Sequence, residues 1–298
     1  MPYPATRGIS LHFRRHLPTH SDVKCCCTAA IKTPIILHRT KTTNSSAIWR
    51  TQAHQASLNS MNRLFSSLLY KLLPGRCVIC KGHSHRQIDL CQDCENELPT
   101  SPSPCMQCGM TNLTISTQNR VCGTCIAHKP SFDRTFCAFT YISPVNLLIK
   151  EFKNGHNLVF GKVMSQVLAK KYKATLVNRP APHLLLPVPL HKNRLKLRGF
   201  NQAAEIAQVV SDACHIKTNT RACSRSKDTA DQKSLPAHLR KDNVAQVFRL
   251  NRNFNGYRIA IVDDVITTGS TVNALARLLR QKGASSIEVI ALARTPRR

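Results

Sequence analysis

Acidic residues are scarce. The 298-residue chain carries 15 Asp and Glu against 43 Lys and Arg, for a formal net charge of +28. No segment holds the excess alone: residues 1–60 contribute +7, residues 61–180 contribute +9 and residues 181–298 contribute +12. There is no pure Lys/Arg block. A surface this basic favours polyanionic partners such as nucleic acid or phosphorylated metabolites, although charge alone sets attraction and not specificity. Long apolar runs are also missing. No stretch approaches the roughly 18 consecutive apolar residues of a spanning helix. SSLLYKLL is too short and is interrupted by Lys71. Two nucleotide motifs are absent as well: the chain has no GxxxxGK[ST] phosphate loop and no GxGxxG dinucleotide fingerprint.

Cysteine is present in quantity. Eight of the 14 cysteines form four C-x2-C pairs: Cys77/Cys80, Cys91/Cys94, Cys105/Cys108 and Cys122/Cys125. Each pair makes a tight knuckle that points two thiolates at one metal, and two knuckles complete a four-thiolate tetrahedral zinc site. This is a metal pattern rather than a disulfide framework, and it suits a reducing, cytoplasmic compartment. Pairing in sequence order gives two zinc sites. Interleaved pairing and a single filled site are the alternatives. Gly82, Gly109 and Gly123 follow cysteines closely, as tight turns require. Such zinc reads as structural, because so small a segment has too little core to fold without it; a ribbon that contacts nucleic acid or a partner is the alternative, and a catalytic zinc is disfavoured because all four ligands are protein thiolates. Cys137, Cys214 and Cys223 lie in apolar contexts and read as buried small residues.

Residues 1–60 are Arg-, His-, Ser- and Thr-rich and show no periodicity; Cys25, Cys26 and Cys27 are consecutive. An organellar presequence, a disordered basic tail and an early start codon all fit this composition. We take the last reading, with Met61 as the start and a short amphipathic helix leading into the first cysteine pair.

The C-terminal half alternates strands and helices. FDRTFCAFTYI reads as a strand. SPVNLLIKEFKNG reads as a helix capped by Ser143, with Pro144 at its first position and Gly155 at its end. Lys150, Lys153 and Lys162 read as a solvated face. HLLLPVPL is a strand, followed by a basic loop with Lys192, Arg194, Lys196 and Arg198, then Gly199, Asn201 and Gln202 before a helix. That loop is a candidate anion site. Residues 224–243 read as a polar lid with Arg225, Lys227, Gln232 and Arg240.

The most informative stretch is IAIVDDVITTGST, residues 259–271. Four apolar residues are cut off by Asp263 and Asp264. A hydroxyl-rich turn follows, Thr267, Thr268, Gly269, Ser270 and Thr271, and then a helix begins. A capping Ser or Thr explains the hydroxyls but not paired acids at a strand end. Backbone N–H groups and hydroxyls converging on a helix start make a phosphate cradle. Acids for sugar hydroxyls beside a phosphate cradle point to ribose 5-phosphate. Strand–helix alternation implies a parallel sheet with the ligand at the strands' carboxyl ends.

This stretch resembles the type I phosphoribosyltransferase signature. Four CxxC pairs, FDRTFCAFTY, LIKEFKNG, PVPLHKNRLKLRGFNQA, QKSLPAHLRKDNV and IVDDVITTGST, in that order, resemble the ComF/GntX family, whose members are tied in some bacteria to DNA uptake during competence. The resemblance covers residues 61–298. It implies an α/β fold: a phosphoribosyltransferase-like parallel sheet flanked by helices at 131–298, behind a double zinc ribbon at 61–130. It further implies that Asp263 and Asp264 hold the ribose hydroxyls of phosphoribosyl pyrophosphate and are the catalytic acids. Thr267, Thr268, Gly269, Ser270 and Thr271 would wrap the 5′-phosphate, and Arg198 would face the pyrophosphate, where Mg2+ is expected. Two functions of different class follow. One is a phosphoribosyltransferase whose acceptor is open, since no base-recognition element is visible. The other is a non-catalytic module that binds nucleotides and single-stranded DNA alongside competence proteins.

Overall fold

The computed structural model describes residues 75–111, 121–155, 157–226 and 247–296, all within the unit Ser57–Arg298. The expectations for residues 1–60, and for a helix starting at Met61, lie outside the described residues, as do Lys227, Gln232 and Arg240 of the expected lid.

Two short helices follow cysteines in the ribbon region, α1 (Gln92–Glu97) and α2 (Gly123–Ala127). Then come β1 (Arg134–Thr140), α3 (Val145–Asn154), α4 (Leu158–Thr175), β2 (Leu184–Pro187), α5 (Lys192–Arg198), α6 (Gln202–Cys214), β3 (Cys223–Arg225), β4 (Phe248–Leu250), β5 (Arg258–Ile266), α7 (Ser270–Gln281) and β6 (Ser286–Arg294). Four strands form one sheet in the order β1-β6-β5-β2, and every pairing is parallel. β3 and β4 pair antiparallel as a separate ribbon.

The central strands are buried on both faces, which is why their sequences are near-continuous apolar runs rather than alternating ones. Alternate residues still choose different neighbours. Ala260, Val262, Ile290 and Leu292 join a core with Ile149 and Phe152 of α3, Val167 and Leu168 of α4, and Ile206 and Val210 of α6. Ile259, Ile261, Val289 and Ala291 pack with Leu275 and Leu279 of α7 on the opposite face. Each fully buried Leu, Ile or Val contributes roughly 1.5–3 kcal/mol of transfer free energy. Layers of helix, sheet and helix therefore place all four strand carboxyl ends on one edge.

Three expectations shift. The basic segment after β2 is a helix rather than a loop. Its Lys, Arg and Leu residues are strong helix formers, His191 caps it by accepting from the Asn193 N–H, and Gly199 at φ 74° ends it. α3 begins at Val145, with Pro144 rather than Ser143 at the cap position. The expected lid opens with a strand, since Arg225 pairs with Phe248. None of the helices among the described residues is long and apolar enough to cross a membrane.

Candidate ribose-phosphate site and zinc ribbons

The cysteines fall into two groups in sequence order: Cys77, Cys80, Cys91 and Cys94, and Cys105, Cys108, Cys122 and Cys125. Within each, the sulfurs all lie within 4.8 Å of one another. This resolves the pairing in favour of consecutive knuckles over interleaved ones. Cys80 Sγ to Cys91 Sγ is 3.8 Å, and Cys108 Sγ to Cys122 Sγ is 3.7 Å. A tetrahedron with Zn–S bonds of about 2.3 Å has edges of about 3.8 Å, so both groups fit zinc. Burial works against the thiolate of Cys77, but N–H groups of Cys91, Cys80 and Ile79 outweigh it and bring its pKa down to about 6. Cys105 is brought down to about 7, burial again being overcome by the N–H groups of Cys108, Cys122 and Gln107. By contrast Cys94 and Cys125 are pushed up, by burial first and then by neighbouring thiols. A divalent cation relieves that crowding.

The two ribbons repeat one plan. The Cys77 N–H donates to Gly82 O and the Cys105 N–H to Met110 O; the pairs Arg76↔His83 and Pro104↔Thr111 close the two turns. The left-handed position of the turn is Lys81 in the first ribbon (φ 63°) and Gly109 in the second (φ 70°). Of the three glycines expected to serve turns, only Gly109 has the left-handed φ. The first ribbon is fused to the main core through Cys77, Leu90, Cys94 and Leu98. The second is attached by polar contacts: Thr135 N–H to Met106 O at 3.0 Å, Thr135 Oγ1 to Gln107 O at 2.7 Å and Arg294 Nε to Cys108 O at 3.0 Å.

Asp263 and Asp264 sit near the carboxyl end of β5, flanked by β2 and β6. The Asp264 N–H donates to Asp263 Oδ1 at 2.9 Å, and the Val265 N–H to Asp264 Oδ1 at 2.6 Å. Lys153 of α3 reaches Asp264 Oδ1 at 2.8 Å. Lys153 therefore belongs to the acid pair and not to a solvated face; Lys150 and Lys162 are exposed as expected. Burial of the Asp263 carboxyl, followed by the charge of Asp264, pushes its pKa up to about 7, while the Asp264 N–H, Lys153 and Arg225 act the other way. Arg225, on β3, thus lies close enough to be felt by the acids.

The turn that follows is prearranged. Gly269 takes φ 80°, a left-handed conformation that costs an L-residue about 1–2 kcal/mol. The Thr268 and Ser270 hydroxyls are 2.9 Å apart, and the Ser270 N–H approaches Thr268 Oγ1 at 3.3 Å. Thr267, Thr268 and Ser270 are exposed, and Gly269 and Thr271 are half-buried. α7 starts here and runs 12 residues, so its first N–H groups and its dipole face the same turn. Arg198 lies at the end of α5, in the crossover from β2 at the same sheet edge, and donates to Gln202 Oε1 at 3.2 Å. Among the described residues no ion pair joins it to the acids.

Sequence reasoning missed Arg294. This last-strand arginine is 5 % exposed, and its Nη1 donates to Ile266 O at 2.8 Å and to Thr267 O. With Nε on Cys108 O it fastens the hydroxyl-rich turn to the second zinc ribbon. A basic residue ending an otherwise apolar strand was the available signal. Of the three other thiols among the described residues, Cys223 is buried as expected, whereas Cys137 and Cys214 are half-buried; loss of solvation pushes Cys137 and Cys223 up to about 12.

The fold and site define a class: a phosphoribosyltransferase-type sheet carrying a double zinc ribbon. The model described as double zinc ribbon domain matches residues 68–126, and that described as phosphoribosyl transferase domain matches residues 197–298. The chain is 34% identical over 225 residues to competence protein F of Haemophilus influenzae, covering 74% of this chain and 96% of that one. It is 32% identical over 230 residues to the DNA utilization protein YhgH of Escherichia coli K12, covering 75% and 98%. It is 27% identical over 234 residues to competence protein ComFC of Bacillus subtilis, covering 77% and 82%. The chain belongs to the competence protein F family. Among solved structures, a purine phosphoribosyltransferase from Pyrococcus horikoshii matches with a TM-score of 0.29 and 16% identity, over 45% of this chain and 72% of that one.

Proposed function

We propose that the chain binds phosphoribosyl pyrophosphate, or a closely related ribose phosphate, as part of the uptake or use of external DNA in a reducing, cytoplasmic compartment. The observation that carries this reading is the juxtaposition on one sheet edge of an acid pair and a prearranged hydroxyl turn at a helix start. Asp263 and Asp264 accept hydrogen bonds from the ribose 2′- and 3′-hydroxyls, with Asp264 exchanging its contact to Lys153 for one to the sugar. Thr267, Thr268, Gly269, Ser270 and Thr271 hold the 5′-phosphate. Arg198 and Arg225 supply positive charge toward the pyrophosphate. Hard carboxylate oxygens beside a pyrophosphate suit Mg2+, which would neutralise charge on the leaving group when bound. If the C–O bond to pyrophosphate breaks, positive charge grows on the anomeric carbon, and the paired carboxylates stabilise it. Catalysis is then mostly positioning and electrostatics.

A second reading, a non-catalytic module for nucleotides and single-stranded DNA, is supported by the +28 charge and by the names of the relatives. Equilibrium binding of labelled phosphoribosyl pyrophosphate with and without Mg2+, run beside a pyrophosphate-release assay over candidate bases, separates the two. Binding with release supports the transferase. Binding without release for any base supports the module. Absence of binding contradicts the ribose-phosphate site in both.

A further inference from the structure

A recess of about 240 Å³ opens at the sheet edge opposite the acid pair, where the strands begin. Arg134 starts β1, Arg258 starts β5, and Ser286 and Glu288 lie at the start of β6. The connection from α4 to β2 closes it with Arg179, Pro180 and Pro182. Asp263 lies further along β5, about 17 Å from Arg258 at the usual rise, so the two places share a strand but no residue.

The sheet aims two arginines into this recess. Arg134 is in register with Glu288 on one side of β6, and Arg258 with Ser286 on the other. Ser286 and Glu288 are two positions apart, so both arginines rise on one face, where Glu288 meets Tyr172 of α4. The Arg258 stem is fixed by its Nε, which donates to Ala181 O at 3.0 Å. Both arginines are half-buried. Among the described residues, no hydrogen bond or ion pair engages the Arg134 side chain or the terminal nitrogens of Arg258.

The acids of the lining do not neutralise this pair. Asp133 accepts on both oxygens from Arg280 Nη2 at 2.5 Å, and its Oδ2 also takes the Ile287 N–H at 2.8 Å. Glu288 is buried, with one oxygen on the Tyr172 hydroxyl and the other 2.8 Å from Arg179 Nη1. Arg179 turns its remaining nitrogens to Thr175. Each acid therefore has its own arginine, and Arg134 and Arg258 are the surplus. A guanidinium presents N–H donors in a fixed fork that matches phosphate oxygens. A divalent cation fits poorly, because both carboxylates already hold arginines. The volume lies just below the roughly 300–1,000 Å³ of drug-sized sites, which suits a short phosphate chain better than a whole nucleotide.

We propose that this recess is a second oxyanion site, in which Arg134 and Arg258 clamp a compact phosphate chain of the pyrophosphate class. The chain arrives free or as the terminal phosphates of a nucleotide whose base stays outside. This inference depends on neither the acid pair nor the hydroxyl turn.

The test uses the full chain without Mg2+ and three double variants. R134Q/R258Q removes both forks, R134K/R258K keeps the charge without the forks, and K150Q/K162Q removes two charges from exposed positions elsewhere. Calorimetric titration with inorganic pyrophosphate should show one site weakened tenfold or more in R134Q/R258Q and threefold or more in R134K/R258K, with K150Q/K162Q within twofold of wild type. If R134Q/R258Q fails to fold by circular dichroism, the lysine variant carries the test. Parallel titrations with ATP and AMP identify the source. A loss for pyrophosphate alone marks a free inorganic anion, a loss for pyrophosphate and ATP marks a nucleotide tail, and either supports the clamp. No pyrophosphate binding by the wild type, equal binding by wild type and arginine variants, or an equal loss in K150Q/K162Q would overturn it. Phosphoribosyl pyrophosphate with Mg2+ should bind wild type and R134Q/R258Q within twofold of each other. A matching loss there would mark general damage and overturn the clamp, whereas a wild type that ignores phosphoribosyl pyrophosphate but binds pyrophosphate through the arginines would keep it and sink the ribose-phosphate site.

Discussion

Lys153 Nζ lies 2.8 Å from Asp264 Oδ1, on the carboxylate that the proposed ribose site would offer to a sugar hydroxyl. Its charge also opposes the upward shift of Asp263. In the Lys153→Met variant, Asp263 should therefore hold its proton more tightly. The pH midpoint for ribose-phosphate binding should rise by about one unit. A pH series of binding isotherms on wild type and variant checks this; coincident midpoints would show that Lys153 does not act on the pair.

The wild type should itself be pH-sensitive. Asp263 is raised to about 7 by burial and by Asp264, and the proposed sugar contact would use the carboxylate. Affinity should rise as pH climbs through about 7 and level off above. Stability runs the other way. A carboxyl whose folded pKa exceeds its unfolded value near 4 adds stability when protonated, and this is lost as pH rises between the two values. Thermal melts of the ligand-free chain should fall across that window, and saturating ligand should flatten the slope.

Zinc removal should act unequally. Cys94 belongs to the main core, while Cys125 sits in a separate cluster of the second ribbon. Cys94→Ser should lower the melting temperature by roughly 10 °C, in line with about 3 kcal/mol in a chain of this size, and Cys125→Ser by clearly less. Elemental analysis should give two zinc per wild-type chain and one per chain in each variant. Equal melting temperatures for the two variants would contradict the packing difference.

Arg294→Met leaves carbonyls of Cys108, Ile266 and Thr267 without their buried donor. A cost of about 2–4 kcal/mol is expected, together with a weaker grip on phosphate. Denaturant melts and inorganic phosphate titrations measure the two effects. Lost stability with unchanged phosphate affinity would confine Arg294 to a structural role.

Much of the candidate site is legible in the sequence. The acid pair and its turn announce themselves because β5 is an apolar run with two charges at its end, and the cysteine knuckles because spacing alone defines a ligand set. Lys153 was misread because a lysine on an amphipathic helix ordinarily faces water; its partner lies 111 residues away in the chain, and only the parallel sheet brings the two together. Arg294 was overlooked for the same reason, its acceptors being on the phosphate turn and a cysteine knuckle. The helix α5 was hidden by its charge: Lys and Arg favour helix as strongly as they suggest an anion-binding loop.

Isothermal calorimetry of phosphoribosyl pyrophosphate with Mg2+, on wild type and on the D263N/D264N variant, tests the central claim most directly. The wild type should bind one ligand per chain, and the variant, with its fold intact by circular dichroism, should lose affinity at least a hundredfold. Equal affinities in the two proteins would contradict the ribose-phosphate site at Asp263 and Asp264.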